Sequence, residues 1–553
     1  VADADFLATE HFYLPGQAED RRRIAEIPLA GLLQRLDDHL EDVAADSRAD
    51  SKVVRQRAKV LAQCREAAAR PPGVFSLSVP TGGGKTLSSL AFALRHAVAH
   101  GLRRVIYVIP YTSIIEQTAD VFRRAFGELA EAVVEHHSTA APLENEDTMG
   151  PRRLKLAVDN WDAPVIVTTS VQFFESLHAA RPSACRKLHN IAESVVVLDE
   201  VQALPTAQLA PCVRALRELA ERCRTTVLLC SATLPDLRQS TNLGAGFAAV
   251  DEIIDDVDAL FADLARVDSE RAGFLDDDTL VGCLAAEPRV LCIVESRAHA
   301  AELYGHLAER GGAFHLSASM CPAHRRAVLA EVRARLDTDA PCRLVATPVV
   351  EAGVDVDFPV VFRAAAGIDS LAQAAGRCNR NGRQERGRFV VFEAARPSRL
   401  RDLARRRTLA APLLAEGGDP LGRDVVARYF ATLLAVERGA MDESRALERM
   451  NNGRHGLNWP FRSIARDFRM IDQDTRPVVV DWRGKAAPLV AEVEAGNVSL
   501  AAVRALQQHS VAAWPGEIAA LRAAGALREF GPDGRFLKLT RDEFYGDTGL
   551  RVT

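Results

Sequence analysis

The run Val79-Pro80-Thr81-Gly82-Gly83-Gly84-Lys85-Thr86 restricts the fold more than any other part of this 553-residue chain. An apolar, strand-like stretch from Val74 to Val79 breaks into glycines there and restarts as a helix-like segment from Leu87. A strand that feeds a helix through such a loop is built to bind phosphate. Successive glycines let backbone N–H groups converge on an anion without Cβ obstruction, the helix N-terminus adds a positive dipole end, and Lys85 adds a point charge. Thr81, Gly82, Gly83, Gly84, Lys85 and Thr86 are therefore the candidate nucleotide-binding residues, with the Thr86 hydroxyl assigned to Mg²⁺. Val79 stands where the general G-x-x-x-x-G-K-[ST] pattern has its first glycine, and the rest of the loop is intact.

Single cores stop growing near ~250–300 residues, so a chain of this length is expected to form about three or four domains. A hydrophobic fraction of 48% and a charged fraction of 26% are ordinary for a soluble protein. No apolar run approaches the ~20 residues of a membrane span. The ten cysteines include no C-x-x-C pair, and Cys230 and Cys292 lie in apolar runs, which predicts reduced thiols in a cytoplasmic protein rather than zinc or disulfides. The net charge of −5 argues against indiscriminate binding to nucleic acid but leaves room for a local basic groove. Lysine occurs only at Lys52, Lys59, Lys85, Lys155, Lys187, Lys485 and Lys538, so a lysine inside the glycine loop stands out against an arginine background. The chain starts with Val rather than Met and shows no signal peptide, which reads as a fragment or a processed start.

Residues 1–50 read as helical pieces, with Asp37-Asp38-His39-Leu40-Glu41-Asp42 as a solvated acidic helix face. After the loop, β-branched runs at Val105–Ile109, Val165–Thr168, Val195–Leu198 and Val227–Cys230 alternate with helix-like segments. That alternation predicts a parallel sheet buried on both faces, with ligands at the carboxyl ends of its strands. Asp251–Asp258 reads as a solvated connector. A second alternation follows at Val290–Val294, Ala313–Leu316, Arg343–Ala346, Val360–Phe362 and Phe389–Phe392, without a glycine loop of its own. Beyond Arg401 the pattern is helical, and Arg476–Thr553 mixes short strands with a small helix.

Three further stretches carry chemistry. Val195–Leu198 delivers Asp199 and Glu200 at a strand tip, where one carboxylate can orient magnesium and the other polarise the attacking water; we assign Asp199 and Glu200 to these roles. Gln373-Ala374-Ala375-Gly376-Arg377-Cys378-Asn379-Arg380 reads as helical, with Arg377 and Arg380 on one face, able to reach a γ-phosphate as arginine fingers. Thr347-Pro348-Val349-Val350-Glu351-Ala352-Gly353-Val354-Asp355 offers hydroxyl, glycine and carboxylate groups that could sense nucleotide and strand together, with Gly353 and Asp355 on the nucleotide side.

In this order and spacing, the loop, Asp199-Glu200-Val201-Gln202, Ser231-Ala232-Thr233, Thr347–Asp355 and Gln373–Arg380 resemble the motifs of superfamily 2 helicases, over about Ser51 to Leu400. A closer resemblance lies in Phe75–Gly82, Tyr107–Gln117, Glu135-His136-His137-Ser138 and Leu198–Pro205, and in Phe461–Ile471 near the C-terminus. These are similar to the helicase–nuclease of type I CRISPR interference. The resemblance implies an α/β chain of two tandem RecA-like parallel-sheet domains followed by a helical linker and a small C-terminal domain. The expected boundaries are 1–50 for the tail of a preceding HD nuclease domain, 51–245 and 246–400 for the RecA-like domains, 401–475 for the linker and 476–553 for the accessory domain. It also implies Ser231 and Thr233 in coupling, and Thr112, Thr169, Ser170, Gln172 and Thr347 near strand phosphates, as hydroxyl and amide donors that fix backbone position. His136 and His137 read as structural.

No His precedes an Asp in this chain, so the His-Asp metal dyad of the family's nuclease domain is missing, and transition-metal ions belong only to that missing domain. Gln202 stands where many relatives carry His, which implies altered coupling rather than loss. The aromatic fraction of 6% favours backbone tracking over extensive base stacking. The expected function is an ATP- and Mg²⁺-dependent 3′→5′ translocase and helicase on single-stranded DNA, monomeric, recruited by a guide-RNA surveillance complex. Its rivals are an RNA helicase and an ATP-silent nucleic-acid-binding adaptor.

Overall fold

The computed structural model describes residues 1–13, 15–46, 52–137, 158–351, 353–398, 400–453, 458–471 and 474–552. Ser138 and Ala352, which belong to two of the motifs above, lie outside the described residues. The chain forms two compact units. One comprises the described residues up to Ala265 joined by those of Val426–Asp472, and the other the described residues of Arg266–Val425 joined by those of Gln473–Thr553.

The first unit is built on seven parallel strands in the order β3-β4-β2-β5-β6-β1-β7. They are β1 (Val74–Ser78), β2 (Arg104–Ile109), β3 (Val133–His136), β4 (Val165–Thr169), β5 (Ser194–Asp199), β6 (Thr226–Ser231) and β7 (Asp251–Glu252). Alternate residues of each strand serve opposite faces. Phe75, Val105, Tyr107, Val195 and Val197 enter one core, whereas Ile106, Val108, Val196, Leu198 and Val227 enter the other. Both faces are dry, which is why these strands read as continuous apolar runs.

The second unit holds six parallel strands, ordered β10-β11-β9-β12-β13-β8. These are β8 (Val267–Leu275), β9 (Arg289–Ile293), β10 (Ala313–Leu316), β11 (Cys342–Ala346), β12 (Val360–Ala364) and β13 (Gly387–Ala394). A small mixed sheet, β15-β14-β17-β16, follows in the same unit: β14 (Arg476–Val479), β15 (Ser510–Ala513), β16 (Leu527–Phe530) and β17 (Phe536–Leu539). The α/β class with two parallel sheets is therefore the observed one.

Four departures from the sequence reading have clear causes. Asp251–Asp258 is not a solvated connector, because Asp251 and Glu252 form the edge strand β7 beside β1, and Ile253 and Ile254 are buried. The charge of Glu252 is absorbed locally: its carboxylate accepts the hydroxyls of Ser76 at 2.9 Å and Ser78 at 2.7 Å and the amides of Ser78, Ile253 and Ile254. Likewise Asp37 is no free surface charge but pairs with Arg65 at 2.6 Å and Arg95 at 2.7 Å. Strand β8 escaped the sequence pattern because it is a mostly exposed edge strand with no apolar run. Within the stretch read as a linker, Leu434, Met441, Ala446, Ile464, Phe468 and Met470 are buried in a core of the first sheet. No helix among the described residues is long and apolar enough to cross a membrane.

Candidate active site

The sheet order sets β5, β6 and β1 side by side, so the loops leaving their carboxyl ends share one edge. The glycine loop leaves β1. Gly82 and Gly84 adopt φ of 82° and 89°, a region that costs other residues strain. Gly83 is required for a different reason: a Cβ there would stand 2.6 Å from Val79 Cγ1. Arg57 Nε donates to the Gly82 carbonyl at 2.9 Å and pins the loop from the preceding helix Lys52–Ala67. The helix Lys85–His100 begins directly after Gly84, and the N–H groups of its first turn have no intrahelical acceptors. These features make an anion cradle.

Lys85 reaches from this loop to the tip of β5. Its Nζ lies 2.9 Å from Asp199 Oδ1 and 2.6 Å from Glu200 Oε1. Burial pulls the Lys85 pKa down, but the two carboxylates outweigh it and hold it above the ordinary lysine value. Burial raises the Asp199 carboxyl; Lys85 opposes that shift and Glu200 reinforces it. One cation facing two carboxylates leaves a negative charge uncompensated. Asp199, with the Thr86 hydroxyl, is a hard oxygen donor of the kind Mg²⁺ uses when it arrives on phosphates, and the residues present fit that group.

Glu200 sits at φ 51° and ψ 51°, a left-handed conformation that a glutamate adopts only when its surroundings hold it. What holds it is a relay. Gln202 Nε2 donates to Glu200 Oε2 at 2.6 Å, the Ser231 hydroxyl donates to Gln202 Oε1 at 2.6 Å, and the Thr233 amide donates to Ser231 Oγ at 2.8 Å. Gln202 and Ser231 are 6% and 0% exposed, so water does not compete. The Thr233 hydroxyl oxygen is buried without a partner among the described residues. The residues expected to couple the carboxylates to the rest of the motor, Ser231 and Thr233, are thus hydrogen-bonded in series to Glu200.

The strand candidates of the first unit lie at the ends of the adjacent strands β2 and β4. Thr112 opens the helix Thr112–Phe126 after β2. Thr169 caps the helix Ser170–Leu177, its Oγ1 accepting the Gln172 amide at 3.0 Å, and Ser170 is buried at the helix start. His136 accepts from Trp161 Nε1 at 3.0 Å, and His137 is buried beside Glu135.

In the second unit, Thr347 follows β11, is buried, and donates its amide to Leu316 at 3.0 Å. Gly353 takes φ 71°, and Asp355 Oδ1 lies 3.2 Å from Arg380 Nη1. Gln373 lies on the helix Ile368–Ala375. Arg377 and Arg380 do not share a helix face, because that helix ends at Gly376 and Asn379 turns the chain at φ 46°. Beyond the helix the backbone pairs with Phe358, whose carbonyl accepts the Asn379 amide at 2.8 Å. The two arginines consequently have different surroundings. Arg377 is 4% exposed and donates to the carbonyls of Val350, at 3.1 Å, and Glu351. Arg380 is a quarter exposed, with its amide bound to Asp357 at 2.6 Å.

The model of the DEAD/DEAH box helicase family matches residues 59–240, and that of the C-terminal part of the CRISPR-associated nuclease/helicase Cas3 matches residues 286–383. Over these stretches the chain is similar to the Cas3 helicases. It is 26% identical over 477 residues to a CRISPR-associated nuclease/helicase Cas3 of Haloferax volcanii, covering 65% of this chain and 50% of that protein. A Cas3 of Methanothermobacter thermautotrophicus is 23% identical over 337 residues, covering 56% of this chain and 39% of that protein. The chain thus spans half or less of the length of these curated relatives. In fold it is similar to the crystal structure of T. fusca Cas3 with AMPPNP, at a TM-score of 0.62 and 17% identity, covering 87% of this chain and 67% of that one. It is also similar to a chain in a CRISPR RNA-guided surveillance complex, pre-nicking, with a TM-score of 0.55, 18% identity, and coverage of 87% and 66%.

Sequence motifs mark the candidate residues of this core but not several of their supports. Gln202 was noted only as a departure from the family's His, yet it bridges Glu200 and Ser231. Its position three residues after Asp199 was the available signal. A second set comprises the buried Glu351 and Arg363 with the half-buried Ser370. Arg363 Nε lies 2.8 Å from Glu351 Oε1, and Ser370 Oγ donates to Glu351 Oε2 at 2.7 Å. Burial raises the Glu351 carboxyl, with Arg363 opposing. No local pattern marks Arg363, which sits inside an apolar strand.

Proposed function

We propose that this chain is the ATP-driven motor of a Cas3-type protein, moving 3′→5′ on single-stranded DNA and unwinding it for degradation by the HD nuclease domain of the whole protein. Recruitment falls to a guide-RNA surveillance complex of type I CRISPR interference, in the cytoplasm, with the motor acting as a monomer. The observation that carries this reading is the contact of Lys85 with both Asp199 and Glu200 at the mouth of a glycine loop. In the proposed cycle, Thr81–Thr86 bind the nucleotide phosphates and Lys85 transfers from the carboxylates to them. Thr86 and Asp199 would hold Mg²⁺, which would neutralise phosphate charge. Glu200 polarises the attacking water, Arg380 serves the γ-phosphate, and Arg377 positions the segment that carries Arg380. Gln373, Gly353 and Asp355 serve the nucleotide. Thr112, Thr169, Ser170, Gln172 and Thr347 hold the DNA backbone, and Ser231 and Thr233 couple the two events.

The test is ATP turnover with and without single-stranded DNA. Lys85→Ala and Glu200→Gln are expected to abolish stimulated turnover, and wild-type turnover in either variant would overturn the mechanism. Stronger stimulation by single-stranded RNA would replace the DNA reading with that of an RNA helicase. An adaptor with a silent site would show no turnover at all.

A further inference from the structure

The segment Asn458–Ile471 of the first unit carries an aromatic pair that the nucleotide site does not use. Trp459 and Phe461 are 37% and 51% exposed, with ring centroids 6.3 Å apart and planes inclined by 38°. A constructed turn presents them. Pro460 (φ −82°, ψ 55°) is the centre of an inverse γ-turn, closed by the Phe461 amide donating to the Trp459 carbonyl at 2.9 Å. A Cβ on Gly453 would stand 2.7 Å from Trp459 Cδ1, so the indole settles against a position that only glycine leaves open.

The rings are exposed on a firm base. Ile464, Phe468 and Met470 are buried in a core of the first sheet, and Phe468 stacks on His178 with centroids 3.9 Å apart. Glu175 accepts the Met470 amide at 3.2 Å. Glu175 lies on, and His178 ends, the helix whose first residues Ser170 and Gln172 are strand candidates. The aromatic turn is therefore fastened to the element assigned to DNA.

Its charge selects the kind of ligand. Arg462 is exposed and makes no hydrogen bond or ion pair among the described residues. Arg466 and Arg449 share Asp467, each at 2.7 Å, and Arg469 lies 3.8 Å from Glu175. Within Asn458–Ile471, which also carries the two exposed rings, Arg462, Arg466 and Arg469 stand against the single carboxylate of Asp467. A polyanion that carries flat apolar groups meets both features, whereas a folded protein surface would need a matching apolar pocket and acidic rim.

We propose that Trp459 and Phe461 are a base-stacking platform for single-stranded DNA, with Arg462 on a neighbouring phosphate. This rests on the motor reading above and adds a local stacking site to backbone tracking. The test compares binding of fluorescent oligothymidylate and of an abasic strand of equal length by the whole chain and by Trp459→Ala/Phe461→Ala, with circular dichroism as the control for folding. Stacking of about one base per ring predicts that the double variant loses on the order of tenfold or more in affinity for oligothymidylate and nothing for the abasic strand. Trp459→Phe, which keeps a ring, retains most of the affinity. Wild-type affinity of the double variant for oligothymidylate overturns the platform and leaves the motor reading standing. Failure of the unaltered chain to bind either strand overturns the motor reading, and the platform with it.

Discussion

Replacing Gln202 by leucine removes both polar ends of the bridge between Glu200 and Ser231 while nearly conserving side-chain bulk. The magnitude follows from burial. Ser231 is 0% exposed, so its hydroxyl loses the Gln202 acceptor and gains no water in its place, at a cost of about 1–3 kcal/mol. The amide donated to Glu200 at 2.6 Å is a hydrogen bond to a charged group, worth roughly 1.5–3 kcal/mol, though Lys85 continues to hold the other carboxylate oxygen. If that orientation is needed in the transition state, 1.5–3 kcal/mol corresponds to a fall in turnover of about 10- to 150-fold. The assay is DNA-stimulated ATP turnover in a double-mutant cycle with Ser231→Ala. Both substitutions cut the same chain of bonds, so the double variant should be little worse than Gln202→Leu alone. Gln202→His should stay within a few-fold of the natural chain, since a neutral imidazole can donate from one nitrogen and accept at the other. Wild-type turnover by Gln202→Leu, or effects that simply add in the cycle, would refute the relay.

Other expectations are as direct. Arg377→Ala removes a buried guanidinium from two carbonyls and should lower the unfolding midpoint along with turnover, whereas Arg380→Ala should reduce turnover at least tenfold with an unchanged midpoint; the reverse pattern would exchange their roles. Glu252→Ala strands the hydroxyls of Ser76 and Ser78 beneath the glycine loop and should destabilise the first unit by roughly 2–4 kcal/mol in urea unfolding; an unchanged midpoint would refute the role of this carboxylate. His96 is held at about 4, below the ordinary 6.5, by burial first and then by His100. A histidine depressed in the folded state takes up more protons when unfolded, so its stabilisation is complete above about pH 6.5 and is lost as pH falls toward 4. His96→Gln should flatten that part of the pH–stability curve, and an unaltered slope would show that other groups set it.

The chemistry at each strand end was legible in the sequence because its causes are local. Gly82 and Gly84 occupy positive φ, Lys85 follows them at the start of a helix, and Asp199 and Glu200 close an apolar run long enough to be a buried strand. Alternating runs and helices likewise implied parallel sheets. Which strand ends become neighbours is a different matter. The order β5-β6-β1, which lets Lys85 meet Asp199 and puts Ser231 between them, arises from hydrogen-bonded pairing between segments distant in sequence, Val195 with Thr226 and Val74 with Val227. The same is true of Gln202 as a bridge, of Glu252 as a buried acceptor, and of the return of residues 426–472 to the first unit. Sequence periodicity reports which face of an element is apolar. Only packing decides what that face meets, and so why, of two arginines three residues apart, Arg377 is buried against the carbonyls of Val350 and Glu351 while Arg380 stays a quarter exposed.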